Sequence, residues 1–164
     1  MEKLVINSTD KAGIYKEIMP QIEGVMCGES DVIANLANLC AILKEAFGHW
    51  WVGFYLVKSA ECAKGEQLVL GPFQGPLACT RINFGKGVCG TAWREKQTVI
   101  VPDVDKFPGH IACSSLSKSE IVVPVLKDGE VVAVLDIDSD EYNTFDFTDK
   151  EFLENILGKI NFEF

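Results

Sequence analysis

The sequence predicts an α+β domain, one antiparallel sheet covered by helices. Three observations carry this. Helical spacing of apolar residues is confined to the two ends and one short central stretch, strand-like segments fill the intervals, and Lys127-Asp128-Gly129 supplies the Asp-Gly pair of a tight hairpin. The 164 residues have the length of one domain, residues 1–164 with an N-terminal arm over 1–14. A chain of that size buries about two-thirds of its unfolded surface without needing a disulfide.

After the arm, Tyr15 to Met19 begins a helix that Pro20 is expected to close. A second helix is predicted from Asp31 to Phe47, capped by Ser30 or Asp31 and stopped by Gly48, with Ile33, Leu36, Ala37, Cys40, Leu43 and Phe47 on its apolar stripe. Cys40 on that stripe reads as core. Strands follow over Trp50 to Lys58, Gln67 to Pro72 and Cys79 to Phe84, separated by Gly-, Pro- and Lys-rich segments. Gly90 to Glu95 suits a short helix and Thr98 to Val101 a strand, after which Pro102 to Lys118 has no clear periodicity. Loops of that length inside a compact domain are usually functional or disordered, and this one carries Cys113. The hairpin strands span Ser119 to Leu126 and Glu130 to Asp138, and a last helix starts at Thr148, where Thr148 and Glu151 have capping-box spacing.

Composition narrows the function. No stretch approaches the roughly 20 apolar residues of a membrane span, and Met1 to Asn7 lacks the pattern of a signal peptide, so the expected compartment is the cytoplasm. There, six cysteines are free thiols, metal ligands or redox groups, not a structural framework. A net charge of -9 with only two arginines, Arg81 and Arg94, argues against nucleic acid as a partner.

Cys79, Cys89 and Cys113 sit in Gly- and Pro-rich segments, where three thiols can serve as nucleophile, resolving thiol and relay. A zinc site from Cys79, Cys89, His110 and Cys113 is chemically sound, but the C-x₂₋₄-C knuckle usual in structural sites is missing. Gly85-Lys86-Gly87-Val88-Cys89-Gly90 matches the dinucleotide fingerprint G-x-G-x-x-G; yet only Thr91 to Gln97 separates it from the next strand, too few residues for a parallel crossover. It reads as a glycine-rich turn. Strand alternation puts Asp136 and Asp138 on one face with Val132 and Val134, against Val131, Ala133, Leu135 and Ile137 on the other. The same period groups Trp51, Gly53 and Tyr55, the glycine leaving an opening between two aromatics.

Four runs then carry a resemblance. Trp50-Trp51-Val52-Gly53-Phe54-Tyr55-Leu56, the stretch Leu70 to Cys79, the stretch Gly85 to Ala92, and Leu135-Asp136-Ile137-Asp138-Ser139 look like those of the free methionine-(R)-sulfoxide reductases, small GAF-domain enzymes, over nearly the whole chain. The resemblance implies a single GAF domain with a ligand pocket on one sheet face under loops. It implies reduction of free methionine-(R)-sulfoxide without metal or other cofactor, thioredoxin as electron donor, and a homodimer. Cys113 falls on the nucleophile position, Cys79 on the main resolving position and Cys89 on that of a third redox cysteine. Trp51, Tyr55, Glu120, Asp136 and Asp138 fall on substrate-pocket positions. Cys27, Cys40 and Cys62 belong to no motif of that family. Loop amides around Ile111 to Ser114 are expected to meet the substrate carboxylate, and His110 or those amides to stabilise the Cys113 thiolate. The rival readings are a GAF module that binds a ligand or senses redox state without catalysis, and a zinc-stabilised interaction domain. A sensor usually needs an output domain, so a chain ending after one domain favours the enzyme.

Overall fold

The computed structural model describes residues 3–59, 65–110 and 116–160. Six strands form one sheet: β1 (Trp51–Ser59), β2 (Glu66–Gln74), β3 (Arg81–Asn83), β4 (Val99–Val101), β5 (Ser119–Lys127) and β6 (Glu130–Ser139). Their order is β3-β2-β1-β6-β5-β4, with every neighbouring pair antiparallel. Helices α1 (Lys11–Met26), α2 (Val32–Phe47) and α4 (Phe147–Leu157) supply one core against Val52, Phe54, Ile121, Leu135 and Ile137 of the sheet. Helix α3 (Gly87–Glu95) supplies a second against Trp51, Tyr55, Val122 and Val134 on the opposite face. No helix among the described residues is long and apolar enough to cross a membrane.

Each difference from the sequence expectation has a local cause. Helix α1 begins at Lys11, with the Asp10 side chain accepting from Gly13 N, and runs through Pro20 to Met26. Proline removes one helical hydrogen bond, but buried Tyr15, Ile18 and Ile22 hold the helix against the core on both sides of it. Gln21 Nε2 also donates to Glu17 O at 2.9 Å in that turn. Helix α2 has the expected caps, Asp31 accepting from Ala34 N and Gly48 at φ 67°, while Ile33 is turned outward and Leu39 takes a place in the core. Strand β2 passes Pro72 to reach Gln74 because the register against β1 shifts between Gly53 and Tyr55, a bulge that accommodates a residue lacking N–H. Cys40, fully buried with its thiol pushed up to about 12 by desolvation, donates from Sγ to the Pro72 carbonyl at 3.4 Å. The expected Cys79 to Phe84 strand shortens to Arg81–Asn83.

The β5–β6 hairpin turns at Asp128 and Gly129, φ 52° and 81°, as the Asp-Gly pair requires. A bulge between Val125 and Leu126 shifts the register so that Val131 packs on the α3 face and Val132 against the helical core, the reverse of simple alternation. From Ala133 onward the predicted faces hold. Helix α4 starts at Phe147 because its cap is Asp146, which forms a reciprocal capping box with Asp149 rather than the one expected between Thr148 and Glu151. Asp149 is buried and also accepts from the Tyr15 hydroxyl at 3.0 Å and from Lys11, tying α4 to α1.

Candidate active site

Strands β1, β6 and β5 lie side by side, and their register assembles distant residues into rows. Trp51 faces Asp138, which faces Glu120; Gly53 faces Asp136, which faces Val122. All of these project toward α3. A cavity opens there, with about 570 Å³ of empty space counting its mouth. Its walls come from Trp50, Trp51 and Tyr55, from Pro76 to Ala78, from the start of α3 and from Glu120, Asp136 and Asp138.

Trp51 forms one wall. Its ring stacks at 5.4 Å on Phe73 and 6.0 Å on Tyr55. A Cβ at Gly53 would lie 2.2 Å from Trp51 Cη2, and one at Gly75, where φ is 144°, 2.5 Å from Cδ1. The opening predicted above Gly53 is therefore filled by the indole of Trp51 itself, folded back over the glycine. The polar tips of both aromatics point at one segment: Trp51 Nε1 donates to Pro76 O at 3.1 Å and Tyr55 OH to Cys79 O at 3.0 Å. Cys79 is disulfide-bonded, whereas Cys27, Cys40 and Cys89 are free thiols. Cys62, Cys113 and the Ile111 to Ser114 amides lie outside the described residues.

The three carboxyls crowd a dry corner. Glu120 and Asp136 are 6% and 7% exposed, and both are held well above the usual carboxylate range by desolvation and by the neighbouring acids. Asp138, nearer solvent, is raised to about 6 by desolvation, against a lowering hydrogen bond donated by the Ser117 hydroxyl. Burial and mutual repulsion favour the protonated forms, most strongly for Glu120 and Asp136. His110 Nε2 lies 3.7 Å from Glu120 Oε2, but desolvation lowers the histidine's pKa and raises the carboxyl's, so burial disfavours the charged form of both.

Cys89, 3% exposed, sits on the first turn of α3 in this same corner. A helix N-terminus ordinarily favours a thiolate, but here desolvation, followed by the charges of Asp136 and Glu120, pushes the thiol well above its ordinary value. Its sulfur hydrogen-bonds to Asp136, and ligand atoms of Cys89, Glu120 and Asp136 lie within 4.8 Å of one another. The metal-like grouping among the described residues is thus Cys89, Glu120 and Asp136; the alternative set weighed from sequence, Cys79, Cys89, His110 and Cys113, includes a residue outside the described ones. The G-x-G-x-x-G stretch forms a turn opening α3, with Gly85 and Gly87 at φ 72° and 62° and a Cβ at Gly90 only 2.7 Å from Asn83 O. Its preceding strand, β3, is antiparallel, and no nucleotide crossover follows.

Acid burial makes stability pH-dependent with a fixed sign. A carboxyl whose folded pKa is raised from 3.8 to about 6 contributes stability that is complete below 3.8 and disappears as pH rises through 6, worth up to ~3 kcal/mol. Partial exposure of Asp138 trims this. Buried His49 acts oppositely in the same window: its pKa is lowered to about 4, so its contribution is complete above 6.5 and fades as pH falls through 4. Comparing Asp138→Asn with the parent chain cancels His49. The variant is expected to gain at least 3 °C in melting temperature at pH 7.5 and little or nothing at pH 4, read by thermal denaturation of the reduced protein.

Several cavity residues were missed by sequence reading, among them Trp50, Ser117 and Lys86. Trp50 and Ser117 line the cavity although neither shares a periodicity with the other site residues, and Lys86 was absorbed into the glycine-rich turn. They flank β1, β5 and α3, and long-range packing of those elements brings them together, of which a single sequence carries no signal.

An antiparallel sheet with helices on both faces and a cavity beneath the loops of one face defines the class, a GAF domain, and the GAF-domain family model matches residues 29–162. The chain is 58% identical over 156 residues to GAF domain-containing protein A of Dictyostelium discoideum, covering 95% of this chain and 96% of that one. It is 44% identical over 161 residues to the free methionine-R-sulfoxide reductase of Saccharomyces cerevisiae, covering 94% and 88%. The crystal structure of free methionine-R-sulfoxide reductase from Neisseria meningitidis in complex with its substrate superposes with a TM-score of 0.91 at 56% identity, over 96% of this chain and 92% of that one. The chain belongs to the GAF-domain family and, within it, to the free methionine-R-sulfoxide reductases, which are oxidoreductases.

Proposed function

We propose that this protein reduces free L-methionine-(R)-S-oxide to L-methionine, as its relatives' names say of them. The observation that carries the reading is the buried trio of Glu120, Asp136 and Asp138, whose two inner carboxyls, Glu120 and Asp136, are held well above the usual carboxylate range on one wall of a cavity whose other wall is Trp51. A sulfoxide oxygen is a hydrogen-bond acceptor that must gain a proton as its sulfur is reduced. Glu120 and Asp136, the two carboxyls raised furthest, suit that oxygen as proton donors. The S-methyl end suits an aromatic face.

In the mechanism proposed, the Cys113 thiolate attacks the sulfoxide sulfur while a carboxyl of the trio protonates the oxygen. The oxygen passes to the cysteine sulfur, the bond between that sulfur and the substrate sulfur breaks, and methionine leaves with Cys113 as a sulfenic acid. The Cys79 thiol then attacks that sulfur, water departs, and a disulfide remains. A dithiol, which we take to be thioredoxin in a reducing cytoplasm, attacks the disulfide and carries the oxidation away. The disulfide-bonded state of Cys79 beside three free thiols supports its resolving role. Cys89, buried and protonated, fits a partner for Asp136 better than an attacking or resolving thiol. The same reading takes the active assembly to be a homodimer, which sedimentation would test.

Tyr55 has a positioning role in this scheme, since its hydroxyl holds the Cys79 carbonyl. In Tyr55→Phe, loss of that bond costs about 1 kcal/mol. The first methionine is expected to appear at the parental rate while disulfide closure slows about threefold or more, measured by quenched-flow thiol counting; equal closure rates would remove Tyr55 from the scheme.

The deciding experiment incubates fully reduced protein, without external reductant, with free methionine-(R)-sulfoxide and counts methionine per chain. About one methionine per chain, with a Cys79–Cys113 disulfide found by peptide mapping, is the expected result. No methionine, with every thiol intact, would reject the enzyme in favour of a ligand-binding module.

A further inference from the structure

The buried corner of the cavity gathers three kinds of metal-binding atom. Cys89 Sγ, a Glu120 oxygen and an Asp136 oxygen all lie within 4.8 Å of one another, and no other trio of His, Cys, Asp or Glu among the described residues draws its ligand atoms that close. His110 adds an imidazole nitrogen, its Nε2 3.7 Å from Glu120 Oε2. A thiolate with an imidazole and two carboxylates is a donor set for Zn²⁺; Mg²⁺ and Ca²⁺ call for oxygen alone. The ligand atoms of a tetrahedral zinc stand about 3.3–3.8 Å apart, so rotation of side chains is what remains to close the set. Their backbones are fixed: Glu120 on β5, Asp136 on the adjacent β6, Cys89 on the first turn of α3, and His110 on a turn where its N–H donates to Phe107 O at 3.1 Å.

Independent of that spacing, one atom of the corner calls for a partner. Asp136 is 7% exposed and its Oδ1 accepts no hydrogen bond, although the same carboxyl is hydrogen-bonded to Cys89 and Glu120. Leaving a buried acceptor unpaired is unfavourable by about 1–3 kcal/mol, and a cation removes that penalty by taking the lone pair directly. A thiolate and two carboxylates could not share so dry a corner by themselves, because each buried charge would face two others of its own sign. Zinc places two positive charges at their common centre and accepts a neutral imidazole as its fourth ligand. An entry path exists, since Cys89, His110, Glu120 and Asp136 all line the one open cavity.

We infer that Cys89, His110, Glu120 and Asp136 form a zinc-binding site, and that zinc bound there turns the catalytic corner off. Binding makes bonds from the metal to one sulfur, one nitrogen and two oxygens and releases the ligand protons to solvent; no electrons move. Glu120 and Asp136 then have no proton to give to a sulfoxide oxygen. With four protein ligands the ion is closed, so it does not polarise that oxygen in the acids' place. The metal is an inhibitor in this scheme, not a cofactor. Its effect on turnover rests on the proposed reductase reading; its binding does not.

The test removes the thiols outside the site, using a Cys27→Ser, Cys62→Ser chain with Cys79 kept in its disulfide. This chain, stripped of metal, is titrated with Zn²⁺ against a chromophoric chelator at pH 7.5. One zinc per chain is expected, with affinity at least tenfold weaker when Cys89→Ser or Asp136→Asn is added. No binding, or equal binding by both variants, overturns the site. Co²⁺ supplies a readout that needs no variant to fold: the loaded chain is expected to show a thiolate-to-cobalt charge-transfer band, and cobalt binding without that band excludes Cys89 and overturns the site. For inhibition, the same chain is fully reduced and methionine release is counted in a single turnover. Saturating zinc is expected to slow release at least tenfold, reversed by EDTA, whereas adding Cys89→Ser leaves the rate within twofold of that variant's own zinc-free rate. Inhibition that persists in Cys89→Ser, or none in the starting chain, overturns the switch. If no methionine forms even without zinc, the reductase reading fails, and the titration alone decides the site.

Discussion

Cys113→Ser is expected to abolish reduction of free methionine-(R)-sulfoxide, by at least about 10³-fold, whereas Cys79→Ser still makes one methionine per chain and then stops. The two outcomes separate the thiol that attacks sulfur from the thiol that clears the resulting sulfenic acid. A hydroxyl at 113 is a poor nucleophile toward sulfur and cannot take up the oxygen. With Cys79 absent, the first methionine has already left when the missing thiol is needed, so the burst survives and only the cycle is lost. Cys89 is not expected to replace Cys79: it is 3% exposed, and its proton is held by surrounding acids. Single-turnover methionine counting with intact-mass detection of the sulfenic acid checks both variants. A Cys113→Ser protein that releases a stoichiometric burst would reassign the nucleophile.

The second large effect belongs to the acids. Glu120→Gln and Asp136→Asn are each expected to lower kcat about 10²- to 10⁴-fold, the usual worth of a positioned proton donor. An amide still donates a hydrogen bond to the sulfoxide oxygen but has no proton to transfer, so KM is expected to change far less than kcat. The pH dependence carries the signature. The parent loses activity as pH rises through the raised, coupled titration of the trio. Asp138→Asn is expected to move that alkaline limb downward in pH, because removing one charge lets the remaining two acids ionise more easily. A kcat profile unchanged in all three variants would mean that the proton comes from elsewhere.

Much of this site was legible before any coordinates. Alternation placed Trp51 with Tyr55 and Asp136 with Asp138, since period two is a property of any strand, and the Asp-Gly turn fixed the hairpin that carries all three acids. The reductase resemblance rested on motifs, and the relatives and the fold bear it out. What stayed hidden depends on register or on packing over distance. Val131 and Val132 exchanged faces through a bulge that leaves no mark in the sequence pattern. Pro20 stayed inside α1 because tertiary burial of Ile18 and Ile22 outweighed one lost hydrogen bond. The α4 cap moved to Asp146 because that residue's carboxylate also answers Lys11 from the far end of the domain. The opening above Gly53 closed for a similar reason: a residue two positions away filled it.

That last feature governs which sequences this site can accept. Trp51, Gly53 and Gly75 share one volume, the indole occupying the space of two side chains that are not there. Their tolerances are therefore epistatic. An alanine at 53 would meet Phe73 Cβ at 2.5 Å as well as the Trp51 indole, and Gly75 keeps φ 144° whatever stands at 51, so shrinking Trp51 alone frees neither glycine while opening a void beside the carboxyls. Drift through this wall must then proceed by linked changes that include Trp51, Gly53 and Phe73, so a library randomised at one of them alone will report as immutable a wall that only a combination can move.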